Sequence, residues 1–169
     1  MEKSVCVLKF GGTSVGNGER ISRVASIIVD TVKCSESHFP VVVVSAMSGV
    51  TDQLLRIAKH ACNGEISACE QELAQLRKKH LQAAAEVTDN DEQRVNLIEA
   101  LEESVVSLTK DVHILRDAAV SGEAVHLRTA TVAAWGERLS VLLVSAAINR
   151  LGTLAEPVRK EVIITSHPA

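Results

Sequence analysis

The sequence predicts an α/β fold, with a mostly parallel sheet flanked by helices in one domain. Aromatic residues make up only 2% of the 169 residues, so valine, leucine, isoleucine and alanine must build the core. Two apolar runs of strand type are each followed by a loop of small residues and a helical pattern. A third stretch, residues 65–117, lacks glycine and proline and repeats its apolar residues at helical spacing.

The first sixty residues follow a β-α-β-α order. The Val-rich run SVCVLK forms the first strand, and Asn17 is suited to cap the helix after the glycines. The four valines of FPVVVVSAMSG indicate a strand buried on both faces. A right-handed crossover makes the strands parallel, so both following loops open at one edge, where such sheets bind ligands. The predicted strands are 4–9 and 39–44, and the predicted helices are 17–32 and 51–61.

Residues 64–120 are predicted to form an inserted helical hairpin that breaks at VTDNDEQ. Its 12 acidic and 6 basic residues between Gly64 and Asp117 give a net charge of −6, which puts an acidic surface away from the ligand edge. The apolar stripe expected on the second helix is Val95, Ile98, Leu101, Val105, Leu108, Val112 and Leu115.

The last part of the chain predicts one more helix and one more strand. The helix covers residues 129–150 and stops before Gly152. EVIIT, Glu161–Thr165, reads as a strand, and the chain continues for only four residues beyond it.

Charge and composition exclude several classes of function. A net charge of −3 and few aromatic residues argue against nucleic acid as a partner. No apolar run is expected to reach the roughly 18 residues that span a bilayer, and the N-terminus leads directly into a strand pattern. We therefore expect no membrane partner, and a location in the cytoplasm or in a plastid after removal of a transit peptide.

The cysteines and histidines do not predict a metal or hydrolase site. The four cysteines include no CxxC pair, so free thiols are expected rather than disulfides or metal ligands. The six histidines are scattered, and none lies in a recognisable nucleophile motif.

LKFGGTSVGN, residues 8–17, is the first stretch whose residues could bind a ligand or take part in a reaction. Gly11 and Gly12 permit close backbone approach, and consecutive N–H groups before a helix can bind an anion. Thr13 and Ser14 add hydroxyl donors, while Lys9 would bring a positive charge to bound phosphates. An ordinary βα turn with a solvated lysine is the alternative.

Two further stretches could face that loop. Ser45 ends the second predicted strand in VVVVSAMSGVTD, and Ser48 or Thr51 could hold a carboxylate substrate or simply cap the next helix. In WGERLS, Gly136 inside a helix indicates close packing. Glu137 beside it could face a substrate ammonium or form a surface salt bridge.

Together, these three stretches resemble the aspartate kinases of the amino-acid kinase superfamily. LKFGGTSVGN is similar to their N-terminal signature, VVSAMSGVTD to their second loop and WGERLS to their Gly-Glu helix motif. The resemblance extends over the whole chain and implies a three-layer sandwich. Glutamate, acetylglutamate and uridylate kinases share the Lys-Gly-Gly start, but Thr-Ser and SAMSGVTD favour aspartate as substrate.

The resemblance implies phosphoryl transfer from MgATP to the side-chain carboxylate of L-aspartate, giving 4-phospho-L-aspartate. This reaction is the first step toward lysine, threonine and methionine. By this resemblance Lys9 is the catalytic lysine. The residues implied at the ATP phosphates are Lys9, Gly11, Gly12, Thr13 and Ser14. The residues implied at L-aspartate are Ser45, Thr51 and Glu137, and no protein ligand is implied for the metal.

The family pattern also continues beyond this chain, with a Gly-rich segment containing Ser-Asp and with regulatory domains. Residues 1–169 therefore resemble the N-terminal part of the catalytic domain, and we expect them to be inactive alone. The alternative is a non-catalytic truncated paralogue that binds aspartate or pairs with a longer kinase chain. The protein partners left open are a second copy of the chain and the missing C-terminal half.

Overall fold

This computed structural model describes residues 4–34 and 38–158. In them two parallel strands form a sheet, and helices pack against one face of it. Strand β1 (Ser4–Phe10) pairs with β2 (His38–Val44) in a register that sets Phe10 opposite Val44. Because the strands are parallel and end level, the loops that follow them leave the sheet at the same edge. This arrangement confirms the predicted α/β class.

The two faces of the sheet differ in burial. Leu8 and Phe10 pack partly buried against the helical core, and Val44 is buried. On the other face the valines are exposed, so the prediction that β2 is buried on both faces is wrong for the described residues. The helices in these residues cover one face only. The exposed valines are Val5, Val7, Val41 and Val43, at 64%, 62%, 39% and 45%.

The first four helices of the chain follow the predicted order. Helices α1 (Gly18–Cys34) and α2 (Val50–Cys62) each end within two residues of the predicted bounds. Helices α3 (Ile66–Val87) and α4 (Asp91–Ser121) form the predicted helical pair, separated by residues 88–90. Asn90 starts α4, because its side-chain oxygen accepts hydrogen bonds from the N–H groups of Glu92 and Gln93. Whether this pair is an insertion within a kinase domain stays a prediction.

The buried stripe of α4 begins at a different residue from the predicted one. Val95 is 52% exposed and the predicted Ile98 and Val105 are only half-buried, whereas Leu97 is buried and takes the first core position. From there the stripe repeats in steps of three or four residues and includes Ser104, a polar position that an apolar pattern overlooks. The buried positions are Leu97, Leu101, Ser104, Leu108, Val112, Leu115 and Ala118.

The helix predicted at 129–150 starts earlier and is divided in two. Helix α5 (Val125–Ala133) and helix α6 (Trp135–Arg150) meet at Ala134, whose φ of −65° is helical but whose ψ of −13° departs from the usual α-helical value of about −42°. Helix α6 then packs against α1, α3 and α4 at the centre of the core. The predicted strand Glu161–Thr165 lies outside the described residues.

The stretch Val125–Arg150 also corrects the prediction about apolar length. By length and composition alone it could cross a membrane, although 56% of its most apolar window is buried inside the protein. Leu139 and Leu143 of this stretch are fully buried. A buried core helix passes the same test, and this stretch packs against α1, α2, α3 and α4.

Candidate active site at the carboxyl edge of the strands

The glycine loop between β1 and α1 is shaped by a tight turn and a close approach. The N–H of Ser14 donates to the carbonyl of Gly11 at 2.9 Å, which closes the turn. A Cβ placed on Gly12 would lie 2.8 Å from the carbonyl oxygen of Ala46, so only glycine fits there. At Gly11 a Cβ would meet no atom within 4 Å. Gly12 is therefore required for packing, while the space beside Gly11 is open.

The first turn of α1 is already occupied by protein acceptors. The N–H of Gly18 donates to Glu86 Oε2 at 3.0 Å, and that of Arg20 donates to Asn17 Oδ1 at 2.9 Å. The N–H of Ile21 donates to the carbonyl of Asn17. Asn17 is thus the predicted cap, but these helix N–H groups are not available to an anion. The loop before the helix is therefore the better candidate for an anion site.

The loop between β2 and α2 is built around a glycine. Its start continues the sheet, because the N–H of Ser45 donates to the carbonyl of Phe10 at 3.0 Å. Gly49 then takes a φ of +77°, a conformation that side-chain-bearing residues rarely adopt, and precedes α2. Gly49 holds the N-cap position without a side-chain hydrogen bond. The alternative that Ser48 or Thr51 caps α2 is therefore wrong.

The Gly-Glu pair of α6 contacts this second loop directly. A Cβ on Gly136 would lie 2.6 Å from the Cβ of Ala46, so the glycine lets the helix and loop approach each other. Glu137 Oε1 accepts a hydrogen bond of 3.2 Å from the N–H of Ala46. The close packing predicted for Gly136 is therefore found, and Glu137 reaches the loop rather than a distant surface.

Ala46 is consequently the point at which the three motifs meet. Its carbonyl contacts Gly12, its N–H donates to Glu137, and its methyl group packs against Gly136. Alanine has no functional side chain, so the sequence analysis did not single it out. The run of small residues in SAMSG was the available signal.

Most of the other predicted site residues are exposed. Lys9, the last residue but one of β1, is exposed and sits opposite Val43 in the sheet register. Thr13, Ser14 and Thr51 are also exposed. Ser45 is half-buried beside Phe10.

Trp135 and Arg138, the neighbours of the Gly-Glu pair, engage another part of the molecule. The indole N–H of Trp135 donates to Asp111 Oδ2 at 2.7 Å, joining α6 to α4. The Arg138 guanidinium lies 4.8 Å from the centroid of the Trp135 ring, a cation–π distance. This cluster anchors the start of α6, from which Glu137 reaches Ala46.

Two side chains of α3 reach the loops although no motif predicted them. Lys79 Nζ donates to the carbonyl of Ser48 at 2.5 Å, and partial burial lowers the pKa of Lys79 below its ordinary value. Glu86 accepts from Gly18, as described above. The expectation that the acidic helical region lies away from the ligand edge therefore fails for Glu86.

Residues 4–34 and 38–158 contain no group of three or more His, Cys, Asp or Glu side chains that could hold a metal ion. The four cysteines are free thiols. Mg²⁺ commonly keeps several waters and binds substrate phosphates with few protein ligands. A magnesium ion that arrives with a nucleotide is therefore compatible with these residues.

Comparison with known proteins agrees with the family resemblance that these motifs predicted. The sequence profile of the amino acid kinase family matches residues 4–165. The chloroplastic aspartokinase 2 of Arabidopsis thaliana is 31% identical over 150 residues, which cover 87% of this chain and 25% of that protein. An aspartokinase of Helicobacter pylori is 54% identical over 54 residues, covering 32% of this chain and 13% of that protein.

A solved structure gives the same result for the fold. Escherichia coli aspartokinase III, in complex with aspartate and ADP, aligns with a TM-score of 0.67 at 24% identity. The alignment covers 89% of this chain and 30% of that one. The predicted resemblance to aspartate kinases is thereby confirmed, and the chain spans about a quarter of the Arabidopsis relative's length.

Proposed function

This chain belongs to the amino acid kinase family, and we propose that it forms the N-terminal part of the catalytic domain of an aspartate kinase. The observation that carries the proposal is the meeting of three motifs at Ala46, at the sheet edge where parallel α/β folds bind ligands. Similar proteins named aspartokinases support aspartate as the substrate, and the related structure with aspartate and ADP supports a nucleotide as the second ligand.

The proposed reaction is attack by a carboxylate on a phosphate. A side-chain oxygen of L-aspartate forms a bond to the γ-phosphorus of ATP, and the bond from that phosphorus to the bridging oxygen of ADP breaks. The carboxylate is already ionised at neutral pH, so no general base is needed. Two like charges 4 Å apart repel by about 1 kcal/mol in water and roughly 4 kcal/mol at an effective dielectric of 20. The site must therefore position the reactants and offset their negative charge.

The glycine loop is the proposed phosphate side of the site. Since protein groups occupy the first turn of α1, we assign the phosphates to the loop Gly11–Ser14, where the space beside Gly11 is open. Thr13 and Ser14 contribute exposed hydroxyl groups. Lys9 supplies the positive charge that offsets the transferred phosphoryl group. Magnesium bound to the nucleotide would reduce the same negative charge.

The second loop and α6 form the proposed aspartate side. Thr51 exposes its hydroxyl because it does not cap α2, and Ser45 stands at the end of β2. Glu137 uses Oε1 to hold the N–H of Ala46, and the rest of its carboxylate is the proposed partner of the substrate ammonium. Glu137 would thus shape the loop and recognise the amino acid.

The proposal extends to the pathway and the compartment. The product, 4-phospho-L-aspartate, would lead toward lysine, threonine and methionine. We propose the cytoplasm as the location, or a plastid, as in the chloroplastic relatives. Protein partners, whether a second copy or the C-terminal half of the kinase domain, belong to the same proposal.

Calorimetric titration with L-aspartate and with MgATP tests this proposal. Thr51→Val removes one hydroxyl while keeping the side-chain shape, and should weaken L-aspartate binding by about tenfold, the typical value of one hydrogen bond. Thr131→Val is the matched control, because among the described residues that hydroxyl bonds only within its own helix, to the carbonyl of Leu127. D-aspartate and L-glutamate serve as ligand controls.

The outcomes separate the alternatives. Heat with L-aspartate that Thr51→Val reduces supports the aspartate site, and an absence of heat with both ligands would leave only an interaction role. Trapping the acyl phosphate with hydroxylamine then measures turnover, with Lys9→Met as the inactive reference. Binding without turnover above that reference is the result expected of this chain alone.

A further inference from the structure

Helix α3 contacts both loops of the candidate site through two charged side chains. Lys79 Nζ donates to the carbonyl oxygen of Ser48 in the second loop at 2.5 Å. Glu86 Oε2 accepts from the N–H of Gly18, directly after the glycine loop, at 3.0 Å. A single helix is therefore bonded to the second loop and to the first residue of α1, which directly follows the glycine loop.

Gly18 and Glu86 lie close together, and both carboxylate oxygens of Glu86 accept hydrogen bonds. A Cβ on Gly18 would lie 2.4 Å from the Cβ of Glu86 and 3.1 Å from the carbonyl oxygen of Ala83, so a glycine is required for α3 to approach. The other carboxylate oxygen of Glu86 accepts from Gln82 Nε2 at 3.2 Å. The carboxylate is thereby oriented by its own helix toward the start of α1.

The spacing of the two residues suits a rigid connection. Seven residues are two turns of an α-helix, so Lys79 and Glu86 lie on nearly the same face, about 10.5 Å apart along the axis. Leu76, His80 and Ala84 of the same helix are buried in the core. The helix that carries both contacts is thus fixed by packing, and its length determines how far apart the contacts are.

We propose that Lys79 and Glu86 are positioning residues that set the separation between the glycine loop and the SAMSG loop. The proposal rests on the function proposed above, since it assigns the phosphates to one loop and L-aspartate to the other. Reacting atoms must come within about 3–3.5 Å, and a misplacement of about 1 Å can reduce a rate by about a hundredfold. Neither residue has to touch a ligand to have this effect.

Amide hydrogen exchange on the ligand-free chain tests the structural half of the proposal. Glu86→Ala should speed exchange at Gly18 by about tenfold, because a charge-assisted hydrogen bond is lost. Lys79→Met should speed exchange at Val50, whose N–H closes the turn of the second loop on Met47. Glu86→Gln keeps an acceptor oxygen and Lys79→Arg keeps a cationic donor, so both should restore much of the protection.

Matched controls come from the same helix. Lys78→Met and Glu70→Gln change exposed α3 residues that make no hydrogen bond or ion pair with the described residues. They should leave exchange in both loops unchanged. Unchanged protection in Glu86→Ala and Lys79→Met, or equal losses in the controls, would overturn the proposal.

Ligand titration of the same variants tests the functional half. Glu86→Ala and Lys79→Met should weaken L-aspartate or MgATP binding several-fold under conditions where the chain stays folded, with recovery in Glu86→Gln and Lys79→Arg. If the unaltered chain binds neither ligand, the proposed function fails, while the exchange data still decide whether α3 holds the loops. Normal affinity in variants with loosened loops would overturn the positioning role alone.

Discussion

At the scale of single residues, glycines and one alanine determine how the candidate site is assembled. Gly12 and Gly136 each leave room for Ala46 that any side chain would fill. The sequence suggested close packing at Gly136 because glycine is unfavourable inside a helix. It did not identify Ala46 as the common neighbour, since the contact depends on how three distant segments fold together.

Gly136→Ala should lower the free energy of unfolding by about 1–2 kcal/mol. Its Cβ would lie 2.6 Å from the Cβ of Ala46 and 3.3 Å from Leu54 Cδ1, so we expect the upper part of the range for overpacking, about 2–3 kcal/mol. The better helix propensity of alanine offsets about 1 kcal/mol of that cost.

Urea denaturation followed by circular dichroism measures this change. Gly11→Ala is the matched control, because a Cβ there meets nothing within 4 Å, and its stability should stay within about 0.5 kcal/mol of the original. A Gly136→Ala chain that is as stable as the original would show that α6 and the loop do not pack this closely.

At the scale of elements, the predicted order of helices and strands holds through α4. Periodicity gave the bounds of α1 and α2 to within two residues, and Asn17 marked the start of α1, whereas the cap of α2 is Gly49 and not the predicted Ser48 or Thr51. Two of the errors at this scale arose where tertiary packing decides which residues are buried and where a helix is interrupted. Val95 is exposed because α4 turns Leu97 toward the core, and Ala134 interrupts the last helix before its contact with the second loop.

Helix α3 contains a buried histidine that should make stability depend on pH. His80 is 1% exposed, its Nδ1 lies 2.8 Å from the carbonyl oxygen of Leu76, and its Nε2 has no hydrogen-bond partner among the described residues. Burial lowers the pKa of His80 from its ordinary value of 6.5. In the unfolded chain, His80 therefore takes up a proton near pH 6.5, whereas in the folded chain it does so only at lower pH.

The free energy of unfolding should accordingly fall as the pH drops from 7 to 5.5. The slope for one such proton approaches about 1.4 kcal/mol per pH unit below pH 6.5. His80→Leu should flatten the curve in this window, whereas His113→Leu, at an exposed position of α4, serves as the control. Denaturation at several pH values measures both, and an unchanged slope in His80→Leu would contradict this origin of the pH dependence.

At the scale of the whole molecule, the described residues form a small sheet with one face covered by helices and the other face exposed. A two-stranded sheet has marginal stability by itself, so the helical core on one face must stabilise it. The four exposed valines occupy the other face, together with Lys9. The local patterns predicted the class of fold and the edge where the motifs gather. They could not predict the bracing by Lys79 and Glu86, because solvated surface residues of a helix give the same pattern.

The most direct test of the central claim is to map both ligands on the backbone by ¹H–¹⁵N NMR. MgATP should shift the amide signals of residues 11–14, and L-aspartate should shift those of residues 45–51 and Glu137. The two sets should meet at Ala46, which contacts both sides of the proposed site. Shifts confined to other parts of the chain, or none at saturating ligand, would contradict the assignment of an aspartate kinase site to these loops.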